Sequence, residues 1–502
     1  MNGVDGRIEA VTVVGGGDAG LISALTLDSV NSDVDVTVVD DFDEGIPEVG
    51  KSTISYIQHT LHDVLGIEKA RFISEVKPVW KASVFFTDWC GRGPFHVPFD
   101  DLTLPPAEPG CRRFEELYYR YESDDFRTLG VEIAERGVSP FVELREDGFF
   151  RTYDHVAYQF GTGRLNDFLR EVCRERGIEL VDDEVTDVRV EDGRIARVAG
   201  EERAYDADLY LDATGFERLL MRRLDNGYEA FDFPLDSALV AKADVDLSEI
   251  VPATVVDSGE YGWFWQIDTW DWRDMGYVYS SEHASREDAL AELVETREAP
   301  IDEDSVKEYH FDSGHYRDAW VGNCVAVGNA LGFVEPLQST ALTLNAILTE
   351  KLAELVADHH GINHRGVRDI YNDYARSKWE NVYDFVSVHY RYADGESEFW
   401  EDMRSVNDER RLEKYVGAYR ENGFNSHTEL DNKHGSNPQL FNQYIFYRLL
   451  RALGVESEFY ERIDVEVSPE VRQDVERERE QIRADAERHL SYEQVYGSGV
   501  FE

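Results

Sequence analysis

The stretch TVVGGGDAG, residues 12–20, decides the fold of this chain. Gly15, Gly17 and Gly20 have the spacing G-x-G-x-x-G between an apolar, β-branched run and a helical segment at residues 21–29. In such a motif the first glycine permits a tight turn, the second lets the backbone approach a diphosphate, and the third lets the helix contact the strand. Free N–H groups at the start of the helix then attract phosphate. The motif therefore predicts a dinucleotide-binding turn.

The residues that follow favour a bound nucleotide over a strand–helix turn without a ligand. A second apolar run, residues 35–39, predicts a strand that ends at Asp40, twenty residues after Gly20. An acidic residue at this place accepts hydrogen bonds from ribose hydroxyls. The glycine motif occurs once in the chain. Separate Rossmann units for FAD and a nicotinamide cofactor would show it twice, so we expect one dinucleotide.

The chain is strongly acidic along its whole length. It has 502 residues, with 102 Asp and Glu against 51 Lys and Arg, and a formal net charge of −51. Because concentrated salt screens such self-repulsion, the composition predicts a surface adapted to high salt, as in the cytoplasm of a halophile. An acidic mesophilic protein is the alternative. The same charge argues against nucleic acid and anionic membranes as partners.

The cysteines and the apolar runs indicate a cellular location. Cys90, Cys111, Cys173 and Cys324 show neither paired metal-ligand spacing nor disulfide density, which fits a reducing cytosol and predicts no metal site. The first residues lack the basic and apolar regions of a signal peptide. No window approaches the roughly 18 uncharged apolar residues of a membrane span. We therefore expect a cytoplasmic protein of two or three subdomains.

Hydrophobic patterning predicts alternating strands and helices, with a mainly helical last third. Ser52 or Thr53 is expected to cap a helix that continues to Leu65. Asp192 and Gly193 are expected to turn a hairpin. The remaining predictions are a strand at residues 80–89, a helix at 163–177, a second sheet at 235–315 around a helix at 286–298, and a charged helix that starts at Ser468 and Pro469.

Three separated glycine turns, each after an apolar strand, fit one discontinuous FAD-binding domain. Their sequences are GGGDAG at 15–20, DATG at 212–215 and VGNALG at 327–332. This arrangement resembles the large FAD-dependent monooxygenase superfamily. Asn329 departs from the usual Gly-Asp of the third turn, and its amide can still hydrogen-bond a ribityl hydroxyl or a phosphate. Arg164 lies where the superfamily has a FAD-contacting helix, and a surface salt bridge is its alternative role.

A narrower resemblance comes from GWFWQID at Gly262–Asp268, which is similar to the W-x-W-x-I-P signature of flavin-dependent halogenases of the tryptophan-halogenase type. Trp263, Trp265 and Ile267 match it, and Asp268 replaces the proline. Segments from MGYVYSSEHAS, GNCVAVGNALGFVEPLQSTAL and NVYDFVSVHYRYADGESEFWEDMR resemble the family in its own order. The resemblance covers roughly residues 8–405, and the last hundred residues match poorly.

The resemblance implies a reaction as well as a fold. Reduced FAD and dioxygen convert chloride or bromide to hypohalous acid, which passes through an internal tunnel to the substrate, while the tryptophan pair keeps substrate away from the flavin. Lys81, in VWKASVFFTDW, matches the lysine at the far end of that tunnel. Burial in an aromatic stretch would lower its pKa and make the amine available to an electrophilic halogen. A snorkelling lysine on an edge strand is the alternative.

The segment PLQSTAL, residues 336–342, departs from the family at two positions. Ser339 matches, and with Lys81 and Gln338 it forms the expected catalytic set. Gln338 replaces a glutamate, and an amide cannot accept a proton from the substrate. Thr340 and Ala341 are expected to bind halide. Ala341 replaces a glycine, so we expect its Cβ to narrow the halide site and to resist a positive φ.

The resemblance also implies binding residues for cofactor and substrate. Lys51 stands where the family has glutamate, in a loop expected near the flavin. The expected FAD-binding residues are Gly15, Gly17, Asp18, Ala19, Gly20, Asp40, Lys51, Ser52, Thr53, Arg164, Val185, Gly215, Gly328, Asn329 and Leu337. The expected substrate-pocket residues are His96, Trp263, Trp265, Tyr444, Phe446 and Tyr447, although His96 and the two tryptophans are also compatible with core positions.

Taken together, these observations predict an α/β fold with a discontinuous Rossmann-type FAD-binding, monooxygenase-like domain, an inserted β-sheet substrate region and a helical C-terminal region. We assign 1–110, 150–230 and 315–350 to the FAD-binding module, 230–315 with parts of 80–150 to the sheet region, and 351–502 to the helical region that caps the substrate.

The expected partners are a separate flavin reductase and a small electron-rich aromatic substrate. The oligomeric state stays open between monomer and homodimer. A flavin-dependent hydroxylase or reductase and a flavin-binding protein without catalysis remain alternatives.

Overall fold

The computed structural model describes residues 7–42, 49–100, 127–297, 301–407, 409–423, 439–458 and 469–501. The chain divides into two compact units. The first unit consists of Met1–Lys77, Phe160–Phe231 and Phe311–Val382, and the second consists of Pro78–Gln159, Asp232–His310 and Tyr383–Glu502. The finer, three-part division predicted above stays a prediction.

The first unit contains a six-stranded sheet in which five neighbouring strands are parallel and the sixth forms an antiparallel edge. The carboxyl ends of parallel strands meet at one edge of a sheet, where α/β proteins bind ligands. Strands ending at Val14, Asp212 and Ala326 are neighbours, so the three predicted glycine turns leave the same edge. The strand order is Glu179–Asp182, Asp35–Asp40, Ala10–Val14, Leu209–Asp212, Cys324–Ala326 and Trp320–Val321.

The helix Asp18–Val30 begins directly after the first glycine turn and is buried over most of its length. It contacts the helix Ala341–Asp358 through paired polar groups. The hydroxyls of Ser23 and Thr349 lie 3.0 Å apart, and the Asn31 side chain donates to the Ala353 carbonyl at 3.0 Å. Polar groups that satisfy each other let two helices approach closely inside a core. The first helix is thereby held with its N-terminus at the carboxyl edge of the sheet.

The predicted cap at Ser52 or Thr53 is wrong. Ser52 ends the short strand Gly50–Ser52, and Thr53 is fully buried. The helix instead begins at Tyr56, after Ser55, whose side chain makes no capping bond, and it continues from His59 as a six-residue π-helix. Ser52 lies in the strand and Thr53 follows it, so neither residue stands at the N-cap position, which Ser55 occupies.

The second unit contains a seven-stranded sheet that confirms the predicted sheet over 235–315. Two further strands, from residues 83–98, extend it at one side. Ser83–Asp88 is parallel to Ala253–Ser258, and all other neighbouring strands of this sheet are antiparallel. The strand order is Lys307–His310, Ser237–Ala243, Arg273–Tyr279, Gly262–Asp268, Ala253–Ser258, Ser83–Asp88 and Phe95–Pro98.

The hairpin predicted at Asp192 and Gly193 is confirmed. Val185–Glu191 and Arg194–Gly200 pair antiparallel, and the two turn residues have φ values of 51° and 73°. A two-residue hairpin turn with two positive φ angles is the type that Asn-Gly and Asp-Gly favour. The third strand of this small sheet is Ala204–Tyr205.

The remaining elements are mainly helical. Arg286–Thr296, close to its predicted bounds, starts with a capping box at Ser285. No helix in the described ranges is long and apolar enough to cross a bilayer. The other helices are Lys69–Val76, Leu129–Arg136, Thr162–Glu175, Arg365–Arg391, Glu398–Met403, Glu409–Asn422, Gln443–Ala452, Pro469–Ala486 and Tyr492–Tyr496, and the other short strands are Val79–Lys81, Phe141–Leu144, Phe150–Thr152, Ala157–Gly161, Tyr228–Ala230, Gly314–Tyr316 and Gly332–Phe333.

Candidate active site

The first glycine turn leaves a space where a diphosphate can approach the backbone. Gly15 has φ 110°, and a Cβ on it would lie 2.4 Å from the Ala213 carbonyl oxygen. A Cβ on Gly20 would lie 2.0 Å from the Gly15 carbonyl oxygen. A Cβ on Gly17, by contrast, would meet nothing within 4 Å. Gly15 and Gly20 are therefore required by the protein's own packing, whereas the open space at Gly17 fits a dinucleotide.

A lysine and an asparagine hold the acidic residue at the start of the first helix. Lys51 Nζ donates to Asp18 at 2.7 Å, and the Asn166 amide donates to Asp18 at 3.2 Å and to the Gly16 carbonyl at 3.0 Å. The Asp18 side chain is fully buried, whereas that of Lys51 is 37% exposed. The lysine thus compensates a buried carboxylate that would otherwise repel a diphosphate.

Asp40 lies beside the glycine turn, as the sequence predicts for a ribose-binding residue. It ends the strand Asp35–Asp40, and its carboxylate accepts a hydrogen bond from the Gly16 N–H. A Cβ on Gly16 would lie 3.0 Å from an Asp40 oxygen. Burial raises the pKa of Asp40 above its usual value.

Asn345 joins the first and third glycine turns. Its side-chain oxygen accepts from the Gly328 N–H at 2.9 Å, and its side-chain N–H donates to the Ala19 carbonyl at 3.2 Å. Asn329 lies in the short helix Gly328–Ala330 of the same turn. The sequence analysis missed Asn345, although a buried asparagine in the apolar helix ALTLNAIL is a recognisable signal of a satisfied polar contact.

Asp212 shapes the second glycine turn and was also missed as a site residue. Its buried carboxylate accepts hydrogen bonds from the backbone N–H groups of Leu220 and Met221 at 2.9 and 2.7 Å, and from the Thr214 hydroxyl at 2.6 Å. Burial raises its pKa. These bonds hold the turn at Gly215, which has φ 61°.

The other expected FAD-binding residues of the first unit have different positions. Arg164 is half-buried in the helix Thr162–Glu175, and Leu337 is fully buried. Val185 opens the hairpin strand Val185–Glu191, in the three-stranded sheet and not in the sheet that carries the glycine turns. Their contacts with a cofactor stay predictions.

The segment expected to bind halide ends at the start of the 18-residue helix Ala341–Asp358, with Thr340 as its N-cap. Gln338 is buried, and the Ser339 N–H donates to the Pro336 carbonyl at 3.0 Å. Ser339 has φ 55°, whereas Ala341 is not among the residues with positive φ. The absence of a positive φ at Ala341 agrees with the expectation that its Cβ resists one, and the left-handed conformation falls on Ser339 instead, whereas the narrowing of a halide site stays a prediction.

Lys81 is fully buried in the second unit, which excludes a snorkelling role. It ends the strand Val79–Lys81, pairs with Ala157, and its Nζ lies 5.4 Å from the centre of the Phe99 ring. Burial lowers the pKa of Lys81 from 10.5 to about 7. At neutral pH a large fraction of this amine is therefore uncharged, as a nucleophilic lysine requires.

The buried amine makes a prediction for stability against pH. Between pH 7 and 10.5 the unfolded chain holds a proton on Lys81 that the folded chain releases, so stability rises with pH across this window. Lys81→Met removes this contribution. We expect the variant to have a higher free energy of unfolding than the wild type. The difference should be largest at pH 7 and below, and it should shrink toward pH 10.5. Denaturant titrations at several pH values measure it, and parallel curves for the two proteins would contradict the shifted pKa.

His96 lies on the strand Phe95–Pro98 of the second unit with its side chain largely buried. Its Nδ1 is 2.9 Å from the Ser83 hydroxyl, its Nε2 is 3.6 Å from a Glu135 oxygen, and its ring stacks on Phe85 at 4.2 Å. Burial lowers its pKa. The imidazole is thus held neutral and fixed in orientation, and its expected role in a substrate pocket stays a prediction.

The two tryptophans of the signature share one face of the strand Gly262–Asp268, with ring centres 6.1 Å apart. Both are buried, and the Trp265 indole N–H donates to Asp274 at 3.2 Å. A Cβ on Gly276 would lie 2.1 Å from the Trp265 ring, so this glycine makes room for the indole. Both indoles are thus fixed by packing, and their expected role of keeping substrate away from the flavin stays a prediction.

Asp268, which replaces the proline of the signature, has a structural role. Its fully buried carboxylate forms an ion pair with Arg273 at 2.6 Å and accepts from the Val251 N–H at 2.9 Å. These contacts close the end of the hairpin formed by Gly262–Asp268 and Arg273–Tyr279. The departure from the family signature is therefore compensated locally and leaves the tryptophan pair in a regular strand.

The C-terminal aromatics occupy the helix Gln443–Ala452. Phe446 stacks on Tyr415 with ring centres 3.8 Å apart, and Tyr447 lies 5.3 Å from Tyr419 by the same measure. Both are buried and join helices of the second unit. The side chain of Tyr444 lies outside the described residues. Among the described residues, no group of three His, Cys, Asp or Glu side chains could hold a metal ion.

The first unit has glycine turns that fit a dinucleotide, and the second unit has a buried lysine whose pKa is lowered to about 7. Comparison with known proteins agrees with both observations. A model of the family described as tryptophan halogenase matches residues 10–469. The 7-chloro-L-tryptophan 6-halogenase KtzR of Kutzneria sp. (strain 744) is 29% identical over 431 residues, which are 79% of this chain and 82% of that protein.

Solved structures show the same fold. The tryptophan 5-halogenase MibH superimposes with a TM-score of 0.83 at 26% identity, over 100% of this chain and 95% of that one. BrvH, a flavin-dependent halogenase from Brevundimonas sp. BAL3, has a TM-score of 0.82 at 24% identity, over 98% and 99% of the two chains. The predicted α/β fold with a Rossmann-type module and a helical C-terminal region is confirmed.

Proposed function

Since the chain belongs to the tryptophan halogenase family, we propose that it is a FAD-dependent halogenase that acts on an electron-rich, indole-like substrate through Lys81. The observation that carries the proposal is the complete burial of this lysine in the unit that also holds the tryptophan pair. A surface role for an ordinary lysine does not require such burial, which is costly for a charged group.

The residues at the carboxyl edge of the first sheet would hold FAD. The space at Gly17 and the N-terminal N–H groups of the helix Asp18–Val30 would receive the diphosphate, and Asp40 would accept from ribose hydroxyls. Lys51 would offset the negative charge of the buried Asp18 carboxylate, so that this end of the helix does not repel the diphosphate. Reduced FAD supplies, with dioxygen, the two-electron oxidation of halide.

Backbone N–H groups at Thr340 and Ala341 would bind halide. They lie at the start of an 18-residue helix, where the helix dipole and unpaired N–H groups favour an anion. The Cβ of Ala341 sits at this end, so the site has less room than one built with glycine. We propose that chloride and bromide both bind there.

The uncharged amine of Lys81 would hold or orient the electrophilic halogen at the substrate carbon. After the carbon–halogen bond forms, the substrate carbon must lose a proton. Gln338 cannot accept it, because an amide oxygen is a hydrogen-bond acceptor but a very weak base. The amide of Gln338 can donate or accept a hydrogen bond but not take the proton, whereas Lys81, with a pKa of about 7, can take it.

The substrate class follows from the family. KtzR acts on 7-chloro-L-tryptophan and MibH is a tryptophan halogenase, so we propose an indole or another electron-rich heteroaromatic. A separate flavin reductase would deliver the reduced FAD. The acidic surface would suit concentrated salt, so the assay belongs in a molar potassium salt of the halide under test.

The test supplies reduced FAD, dioxygen, bromide or chloride and a panel of indoles in molar salt, and reads halogen isotope patterns by mass spectrometry. We expect a monohalogenated product from at least one indole. Flavin oxidation without a halogenated product from any substrate would contradict the proposal and favour a non-catalytic flavin protein. A hydroxylated product instead would favour the hydroxylase alternative.

A further inference from the structure

The second unit contains a cavity whose lining is rich in arginine. Its volume is about 540 Å³, which lies within the range of small-molecule sites. Four of its twelve lining residues are arginines: Arg92, Arg391, Arg404 and Arg420. In the whole chain only 51 of 502 residues are Lys or Arg. The cavity shares no lining residue with the candidate active site.

Backbone carbonyls hold two of these guanidinium groups in place. Arg404 donates to the carbonyls of Ala393 and Gly395 at 3.3 and 2.6 Å. Arg391 donates to the carbonyls of Val406 and Asn407 at 3.3 and 3.2 Å. A neutral carbonyl orients a guanidinium without cancelling its charge, so the remaining N–H groups keep their attraction for an anion.

Three of the twelve lining residues are acidic, namely Asp394, Glu456 and Glu458, so the four arginines exceed the carboxylates of the lining by one. Asp394 pairs with Arg92 at 2.5 Å, and the nearest oxygen of Glu409 is 3.8 Å from Arg391. Within the described ranges, neither Arg404 nor Arg420 has a carboxylate within 4.0 Å. The Arg420 guanidinium instead lies 6.0 Å from the centre of the Tyr392 ring.

The absence of a side chain at Gly454 leaves room for the Arg92 guanidinium. Gly454 follows the helix Gln443–Ala452 with φ 73°, and a Cβ on it would lie 1.9 Å from an Arg92 nitrogen. The Nε of Arg92 is buried without a hydrogen-bond partner. An unpaired buried N–H costs free energy unless a ligand or water satisfies it.

We propose that this cavity binds a small molecule that carries a carboxylate or phosphate group, held by Arg404 and Arg420. The planar guanidinium matches both groups by paired hydrogen bonds. In a chain with a net charge of −51, the lining carries four arginines against three carboxylates, a small local excess of positive charge that favours an oxyanion. The proposal does not depend on halogenase activity, because binding alone is measured.

The experiment titrates citrate and pyrophosphate into the FAD-loaded protein by calorimetry, at an ionic strength kept constant with KCl. We expect at least one of them to bind, and Arg404→Gln and Arg420→Gln each to weaken that binding about tenfold or more, as loss of a charge-assisted bond implies. Citrate binding alone identifies a carboxylate ligand, and pyrophosphate binding alone identifies a phosphate ligand.

Arg189→Gln is the matched control, since Arg189 is an exposed arginine on the hairpin of the first unit and the charge change is the same. It should leave both affinities unchanged. Arg420 is exposed, so its variant keeps the fold even if Arg404→Gln does not. The proposal is overturned if neither anion binds the wild type, or if the Arg420 variant binds as tightly as the wild type.

Discussion

Lys81→Met should reduce halogenated product on the order of a thousandfold while flavin oxidation continues. The expected loss has the size that removal of a positioned acid–base or nucleophilic group produces. Methionine has nearly the same length and no charge, so it fits the fully buried position beside Phe99. Product is measured by mass spectrometry, and flavin oxidation by absorbance under the same conditions.

Lys307→Met is the matched control, because Lys307 is an exposed lysine on an edge strand of the same unit. Its product yield should equal that of the wild type. Retention of product within about threefold in the Lys81 variant, with an unchanged fold by circular dichroism, would remove the lysine from the mechanism. Equal loss of product and flavin oxidation would point instead to a damaged cofactor site.

Gly17→Val should weaken FAD binding by about a hundredfold or more without unfolding the protein. The position has an extended backbone with φ −69°, and an added Cβ meets nothing within 4 Å, so the chain itself accepts a side chain there. The same space is where the diphosphate would approach the backbone, and a branched side chain would fill it. Quenching of FAD fluorescence measures the affinity, and thermal unfolding measures the fold.

Gly227→Val provides the comparison in the same unit. Its added Cβ would meet only the Arg317 guanidinium, at 3.4 Å, and that flexible side chain can move. FAD affinity should be unchanged in this variant. If the two valine variants bind FAD equally well, the diphosphate does not lie at Gly17 and FAD binds elsewhere in the protein.

Local patterns were sufficient where neighbouring residues along the chain decide the structure. The spacing of Gly15, Gly17 and Gly20 between a strand and a helix determined the Rossmann turn, because glycine spacing acts through the local backbone. The aromatic run around Lys81 likewise indicated a buried amine. Asp192 and Gly193 determined a hairpin by the same local means.

Contacts between distant segments were decided only by the tertiary structure. Asn345 lies more than 300 residues after Ala19, which its amide contacts, and no local pattern pairs them. The start of the helix at Tyr56 depends on Ser52 lying in a strand, and no local pattern indicated the left-handed conformation at Ser339.

The arginine cavity is the clearest case of a feature that depends on contacts between distant segments. Its lining comes from residues 92, 391–394, 404, 420, 453–456 and 458, and along the chain its arginines are separated by many acidic residues. The sequence by itself determined the family fold, the cofactor turn and the buried lysine, which depend on short-range patterns. Only folding brought together charges from separate segments, because electrostatic attraction depends on distance in space and not on separation along the chain.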